Sequence, residues 1–307
     1  MSTIAGIGFN TGDVGGDLSV LANRLQRFHA MGCEVAEITA VGLDAVTACR
    51  LVPERIEAIR AILADVPLTT TMHAPIAINL MDEAHIALHK AAALASLDLA
   101  AALGAKVVVL HPGRVHPDLW ATDATRLLEL ERTILTRVGD TAGERGLLIA
   151  YENISPNERV IAGLETSYSL DPRQLAAQLA SLDHQAVWAC LDISHAQQGA
   201  LLWDFDMLEA CRALGPHIIH LHYSDSTGRP ATIASRHKGE AQFFGVGDMH
   251  APPGWGAIDF DALADAVTVR AGSRIVIELK PNYHHHAAQT TLAAARRFAA
   301  RMERVPA

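Results

Sequence analysis

Six apolar runs of this chain close on a histidine or a carboxylate, and those closures are where the sequence holds chemistry. They read Thr-Met-His73, Val-Leu-His111-Pro-Gly, Ala-Tyr-Glu152-Asn, Cys-Leu-Asp192-Ile-Ser-His195, His220-Leu-His222-Tyr-Ser-Asp225 and Ile-Glu278-Leu-Lys-Pro, and a late loop adds Asp248-Met-His250. One such histidine alone is ordinarily a hydrogen-bonded structural residue, and one such carboxylate pairs with a nearby Arg or Lys. Gathered about one axis, each buried without a partner costs several kcal/mol. A bound cation is the simplest compensation, and carboxylate oxygens mixed with neutral imidazoles suit Zn²⁺, Mn²⁺ or Mg²⁺ rather than a structural thiolate site. His220 and His222 share strand parity, and His222, nearer the strand end, is the better ligand. His220 then either supports it from behind or is a structural residue, and Asp225 either orients a ligand or starts the next loop.

Something must bring these residues together. β-rich runs occur at Ile4–Asn10, Glu34–Ala40, Leu68–Ala74, Lys106–Gly113, Leu147–Ile154, Val187–Ser194, Ile218–Asp225 and Arg274–Pro281, with helical stretches between them. Among these stretches are Leu18–Met31, Pro53–Leu63, Ala84–Leu103, Ala124–Ala142, Pro172–Ala180, Phe260–Ala266 and Ala287–Met302. Strand followed by helix, repeated eight times, predicts an α/β fold in which parallel strands close into a (β/α)₈ TIM barrel. The catalytic ends of such strands are the C-terminal ones, where the polar residues lie. An open doubly wound sheet would need a Gly-rich phosphate turn after an early strand, and the GVGDMH stretch comes late and opens no helix. No linker divides the chain, so residues 1–307 are expected to form one domain. The longest irregular segment, 226–256, is expected to be a lid or substrate loop.

Composition agrees. With 50% hydrophobic and 19% charged residues, 307 residues can build a large covered core. A net charge of −9 provides no electrostatic footprint for nucleic acid, which lowers that class of partner without closing it. Cys33, Cys49, Cys190 and Cys211 are widely spaced in apolar surroundings and read as free thiols of a reducing cytoplasm. No basic segment leads into an apolar stretch at the N-terminus and no apolar run is long enough to span a bilayer, so a soluble cytoplasmic protein without membrane partners is expected.

Seven segments together resemble the xylose isomerase-like, AP endonuclease family 2 superfamily of TIM barrels. They are HAPIAINL from His73, LHPG at His111, YENIS at Glu152, LDISHA at Asp192 and His195, LHYSD at His222, GDMHAPPGWGAIDF at Asp248 and His250, and IELKP at Glu278. The resemblance spans nearly the whole chain. It implies a ligand set like that of endonuclease IV, namely His73, His111, Glu152, Asp192, His195, His222, Asp248, His250 and Glu278, holding up to three zinc ions. A subset, Glu152, Asp192, His222 and Glu278, is similar to the single-metal site of ketose epimerases.

Two chemistries follow. In the first, a metal grips a carbonyl and its adjacent hydroxyl, the enediolate is stabilised, and Glu152 and Glu278 exchange a carbon-bound proton. In the second, a multinuclear cluster activates water against a phosphate ester. After His73 the chain reads Ala-Pro-Ile-Ala, without the aromatic that the repair enzymes place there, which turns the reading away from DNA. The leading expectation is a sugar or sugar-phosphate isomerase/epimerase with Glu152 and Glu278 as its acid/base pair. The alternative is an endonuclease IV-like hydrolase, and a third reading, a non-catalytic metal- or sugar-binding barrel, predicts an incomplete ligand set.

Around this centre, Arg114 and Lys238 are candidate contacts for a substrate anion, with His116, Arg236 and His237 beside them. Trp255 is the candidate aromatic wall for a sugar ring, ahead of Trp120 and Trp203. Glu37 is a candidate substrate contact or support, and the Tyr-His-His-His run at 283–286 is expected to be exposed or to cap a helix. The expected partner is a small carbohydrate or sugar phosphate, with self-association through the outer helices left open.

Overall fold

A computed structural model describes residues 3–233 and 238–303. Eight parallel strands, β1 (Ile4–Asn10), β2 (Val35–Thr39), β3 (Thr69–His73), β4 (Val107–Leu110), β5 (Leu148–Glu152), β6 (Val187–Asp192), β7 (Ile218–Tyr223) and β8 (Ser273–Ile277), form a closed barrel in which β1 pairs with both β2 and β8. The single-domain (β/α)₈ barrel expected from the sequence is therefore the fold. Strands β4 and β7 are buried along their whole length, as strands covered on both faces must be.

Helices cover the outside, and their starts are written in the sequence. Pro53, Pro117 and Pro172 occupy first helical positions, where a missing N–H costs nothing, and Asp17, Asp206 and Asp259 cap the first-turn amides of other helices. The helix expected over Ala124–Ala142 extends over Pro117–Glu144, starting at that proline. The one expected from Ala84 divides into a 3₁₀ turn, Glu83–His85, and a helix, Ile86–Ala102. Most strands stop short of their expected ends, because the last residues of each run leave the ladder to turn over the barrel mouth. Among the described residues no helix is long and apolar enough to cross a membrane.

Two features pin the barrel, one low on its wall and one near the mouth. A Cβ added to Gly8 would lie 1.6 Å from the backbone oxygen of Val35, so β1 and β2 approach as only glycine permits. On the opposite side, buried Glu131 of the helix Pro117–Glu144 accepts hydrogen bonds from Tyr151 Oη at 2.7 Å, Tyr168 Oη at 2.6 Å, Gln178 Nε2 at 3.0 Å and the Gly113 amide at 2.7 Å. Burial raises the Glu131 pKa against the pull of these donors. The network anchors the residue before Glu152 and the loop after His111.

Candidate metal centre

His73, Glu152 and Asp192 are the last residues of β3, β5 and β6, and His222 is the last but one of β7. His111 and Glu278 follow β4 and β8 directly, and His195 lies in the first turn of the helix Ile193–Trp203. That helix begins where the sequence suggested strand, because the Asp192 carboxylate caps it by accepting from the His195 amide at 2.8 Å. Asp248 and His250 arrive from the segment between β7 and the helix Phe260–Ala266.

All nine side chains meet at the mouth, and Glu152 is their hub. Its Oε2 lies 3.0 Å from His111 Nε2 and 3.3 Å from His73 Nε2, while its Oε1 lies 3.0 Å from His222 Nδ1 and 3.4 Å from His195 Nδ1. His222 Nδ1 is also 3.8 Å from Asp192 Oδ2 and 3.6 Å from Glu278 Oε2. On the far side His195 Nε2 is 3.5 Å from Asp248 Oδ2, His250 Nε2 is 2.5 Å from the same oxygen, and His250 Nδ1 is 3.6 Å from Glu278 Oε2. Four overlapping groupings of these residues result, His73–Glu152–His222, Glu152–Asp192–His195, Asp192–His222–Glu278 and His195–Asp248–His250, each compact enough to hold one ion.

Residues behind the centre fix its orientation. Glu37 Oε1 lies 3.0 Å from His222 Nε2 and turns the other ring nitrogen toward the centre, while its Oε2 contacts His220 Nε2 at 2.9 Å and accepts from Thr71 Oγ1 at 3.2 Å. Asn10 Nδ2 donates to Glu37 Oε1 at 2.9 Å and to Glu278 Oε1 at 3.0 Å. Asn153 clamps the Asp192 backbone from both sides, and its own carbonyl lies 2.9 Å from His195 Nδ1. Asp248 Oδ1 accepts from Ser194 and Gln198, each at 3.2 Å, which leaves Oδ2 for the imidazoles. His250 has φ of 43°, a left-handed conformation uncommon for a non-glycine residue and a sign of a locally constrained site.

Electrostatics test whether a cation fits. Glu152 Oε2, Asp192 Oδ2 and both ring nitrogens of His111 are buried without an aligned hydrogen bond, even where a ring nitrogen lies 3.0 Å away. Buried polar atoms left in that condition are costly, and ions at the centre would satisfy Glu152 Oε2, Asp192 Oδ2 and His111 Nε2, the ring nitrogen that faces Glu152. In the metal-free protein the groups compensate one another. Burial opposes charging His73, yet Glu152 lifts it to about 9; burial likewise opposes His195, which Asp192 and Asp248 raise to about 10, and His250, which Asp248 raises to about 9. Glu152 stays well below the carboxylate range against its burial because of His222 and His111. Burial pushes Asp192 up to about 6, with Glu152 and Glu278 adding to the rise against the pull of His195. Burial draws His111 down toward the neutral, ligating form. Protons thus occupy a place suited to a divalent cation.

Several residues singled out in the sequence lie elsewhere. Glu37, a candidate substrate contact, is fully buried and has both oxygens taken; its register opposite Thr71 sets it two residues below His73. His220, opposite Cys190, occupies the same lower level beneath Asp192 and His222. Trp255 is half-exposed against Tyr283 and His286, at centroid distances of 5.4 and 5.9 Å, and lines an outer groove instead of the cavity at Glu278. Trp120 stacks on Tyr168 at 6.1 Å, Trp203 is exposed at the far end of the helix Ile193–Trp203, and His116 caps the helix Pro117–Glu144. His284 packs on Phe9 and Phe28 and starts the last helix, while His285 borders the cavity. Arg114 is half-buried, and its Nε has no hydrogen-bond partner among the described residues. Arg236 and His237 lie outside the described residues, as does the side chain of Lys238.

The segment 226–256 includes a helix, Lys238–Phe244, and is tied down at its far end by Asp225. The Asp225 carboxylate accepts from the amides of Ser226 at 2.8 Å, Gly254 at 2.7 Å, Gly256 at 2.9 Å and Ile258 at 3.3 Å. Replacing Asp225→Ala removes the acceptor for four amides and is expected to cost about 3 kcal/mol in urea unfolding. Amide exchange should accelerate most over residues 248–258; uniform exchange with unchanged stability would refute the clamp.

A cavity of about 610 Å³ opens on this centre, with Asn10, Arg24, Asp248, His250, Glu278 and Lys280 among its walls. A family model described as a xylose isomerase-like TIM barrel matches residues 25–301. An uncharacterized protein of Methanocaldococcus jannaschii is 29% identical over 126 residues, 41% of this chain, so that the match spans only 40% of that relative's length. Among solved structures, a D-tagatose 3-epimerase-like protein superposes with a TM-score of 0.71 at 18% identity, over 97% of this chain and 98% of its own. A xylose isomerase-like TIM barrel protein of Mycobacterium smegmatis in complex with magnesium gives 0.61 at 16% identity, over 94% and 89%. A Thermus thermophilus protein soaked with zinc chloride gives 0.61 at 21% identity, over 95% and 98%. At these identities the likeness establishes a shared fold.

Proposed function

The chain belongs to the xylose isomerase-like TIM-barrel family, and on that footing we propose that it is a divalent-metal-dependent isomerase or epimerase of a sugar or sugar phosphate. The observation that carries this reading is a cavity of sugar size opening directly on Glu278, with Glu152, Asp192 and His222 converging behind it. Those four residues are the proposed holders of one Mn²⁺ or Mg²⁺. The ion supplies polarisation of a carbonyl and its neighbouring hydroxyl, so that a proton on the adjoining carbon becomes acidic. Glu278 moves that proton: its Oε2 faces the centre while Asn10 holds Oε1. Glu152, whose Oε1 faces the same His222 Nδ1, is its proposed partner. Glu37 orients His222, and Asp248 with His250 shapes the wall next to Glu278. We assign the enzyme to a reducing cytoplasm, in keeping with four free cysteines, three of them buried.

A specific observation favours a second reading, hydrolysis of a phosphate ester by a multinuclear centre. Both oxygens of Glu152 are engaged by imidazoles, so this carboxylate could contribute to holding more than one ion, and the His195–Asp248–His250 group is a further ion-sized site. Up to three Zn²⁺ would then occupy the mouth. Incubating tag-free, metal-loaded protein with ketoses and ketose phosphates in deuterated water separates the two. Carbon-bound deuterium supports isomerisation or epimerisation, whereas inorganic phosphate released without exchange transfers the assignment to hydrolysis. Neither signal across a broad panel of ketoses, ketose phosphates and phosphate esters would overturn both.

A further inference from the structure

The cavity at the metal centre has two chemically different ends. One is Asp248, His250 and Glu278; the other is formed by Arg24 and Arg27, with Lys280 and His285 on the adjoining wall. Arg24 and Arg27 project from one face of the helix Leu18–Ala30, three residues apart, Arg24 toward the segment after β1 and Arg27 toward the segment after β8. Their anchors are backbone oxygens: Arg24 Nη1 donates to the carbonyls of Thr11 and Asp13, and Arg27 Nη2 donates to that of His284. Lys280 Nζ donates to the Asp248 carbonyl at 2.5 Å. Among the described residues neither guanidinium forms an ion pair with a carboxylate; burial draws the Arg24 pKa down, and the Asp13 carboxylate opposes this through its charge without touching the guanidinium. Tethers of this kind hold a guanidinium in position while leaving its other N–H groups and its charge for a ligand. A planar donor fork so placed matches phosphate or carboxylate.

We propose that this end of the cavity is an anion subsite, so that the substrate is an open-chain sugar whose reacting carbons lie at Glu278 and whose terminal phosphate or carboxylate lies against Arg24 and Arg27. The subsite does not include Arg114, one of the cations that the sequence suggested for this task. It rests on the isomerase/epimerase reading for the orientation of the substrate, but its binding can be measured without turnover.

The test uses metal-loaded full-length protein and two assays. In the first, a sugar-alcohol phosphate and a sugar acid, neither of which has a carbonyl to react, are titrated calorimetrically against wild type, Arg27→Gln, Arg24→Gln and Arg27→Lys. Each Gln variant should weaken the anionic probe by about 10- to 100-fold, the loss of one charge-assisted contact. Arg27→Lys should recover part of the loss, and neutral sugar alcohols should bind alike to all four proteins. Whichever probe binds more tightly, the phosphate or the acid, identifies the anion. In the second, the Gln variants should raise KM for the charged ketose at least tenfold with kcat little changed. Tight anionic binding without deuterium exchange would sink the isomerase reading and leave the subsite standing. Equal losses for charged and neutral probes, or anionic binding indifferent to both arginines, would overturn the subsite even if ketoses exchange deuterium.

Discussion

Glu278→Gln is expected to lower kcat by about 10²- to 10⁴-fold, the range of a lost general acid/base, while the protein unfolds at nearly the temperature of wild type. The substitution keeps the side chain's length and leaves an amide oxygen where Glu278 Oε1 accepts from Asn10 at 3.0 Å. What disappears is the carboxylate oxygen facing His222 and His250, each 3.6 Å away. The side chain borders the cavity instead of filling a core position, so packing changes little. Steady-state kinetics with metal content measured on the same sample distinguishes loss of chemistry from loss of the ion. Unimpaired turnover would remove Glu278 from the mechanism, and failure to fold would mean that its role is structural.

Stripping the ion should have the next largest effect, and pH gives it a signature. In the metal-free protein His73, His195 and His250 titrate at about 9, 10 and 9, above the ordinary 6.5. Histidines raised in this way contribute stability that is fully present below pH 6.5 and is lost as pH climbs through 9 and 10. Asp192, raised to about 6 from 3.8, contributes below 3.8 and loses that contribution as pH passes 6. The depressed carboxylates of Glu152 and Asp248 act at the other extreme, where acid removes what they contribute. Metal-free protein should therefore weaken steadily from pH 6 to 10. The loaded protein, in which the ion has replaced the protons, should weaken less. At neutral pH a cation at about 100 times its Kd contributes about 2.7 kcal/mol, or several degrees in the melting midpoint. Melting curves with and without chelator from pH 6 to 9 should diverge as pH rises; a gap that is constant or absent would contradict this account.

Much of this site could be read from the chain because its chemistry is carried by charged residues at the ends of apolar runs. His73, Glu152 and Asp192 occupy the last ladder positions of their strands, and a closed barrel brings such positions to one rim. Depth was less legible. Glu37 and Glu278 look alike in sequence, yet the register of β2 against β3 sets Glu37 a layer below, where it orients His222 instead of meeting substrate. Asn10 and Asn153 also close apolar runs, but an amide carries no charge and so escapes a search for acids, bases and ligands. The bend into the helix Ile193–Trp203 had a signal in Asp192 followed three residues later by His195, the spacing of a side-chain cap. Trp255 was chosen for its neighbours in sequence, and its ring packs on the last helix instead. The cationic end of the cavity was invisible for a similar reason, since Arg24 and Arg27 read as an ordinary helix face until the barrel closes β1 against β8.

The central claim is that the nine side chains at the mouth converge because divalent cations neutralise them. Crystals of tag-free protein grown with Mn²⁺ or Zn²⁺ and measured at the metal's absorption edge test it most directly. An anomalous peak is expected within about 2.0–2.3 Å of His222 Nδ1, bounded by carboxylate oxygens of Glu152, Asp192 and Glu278. Ordered side chains still paired with one another, and no peak among them at saturating metal, would contradict it.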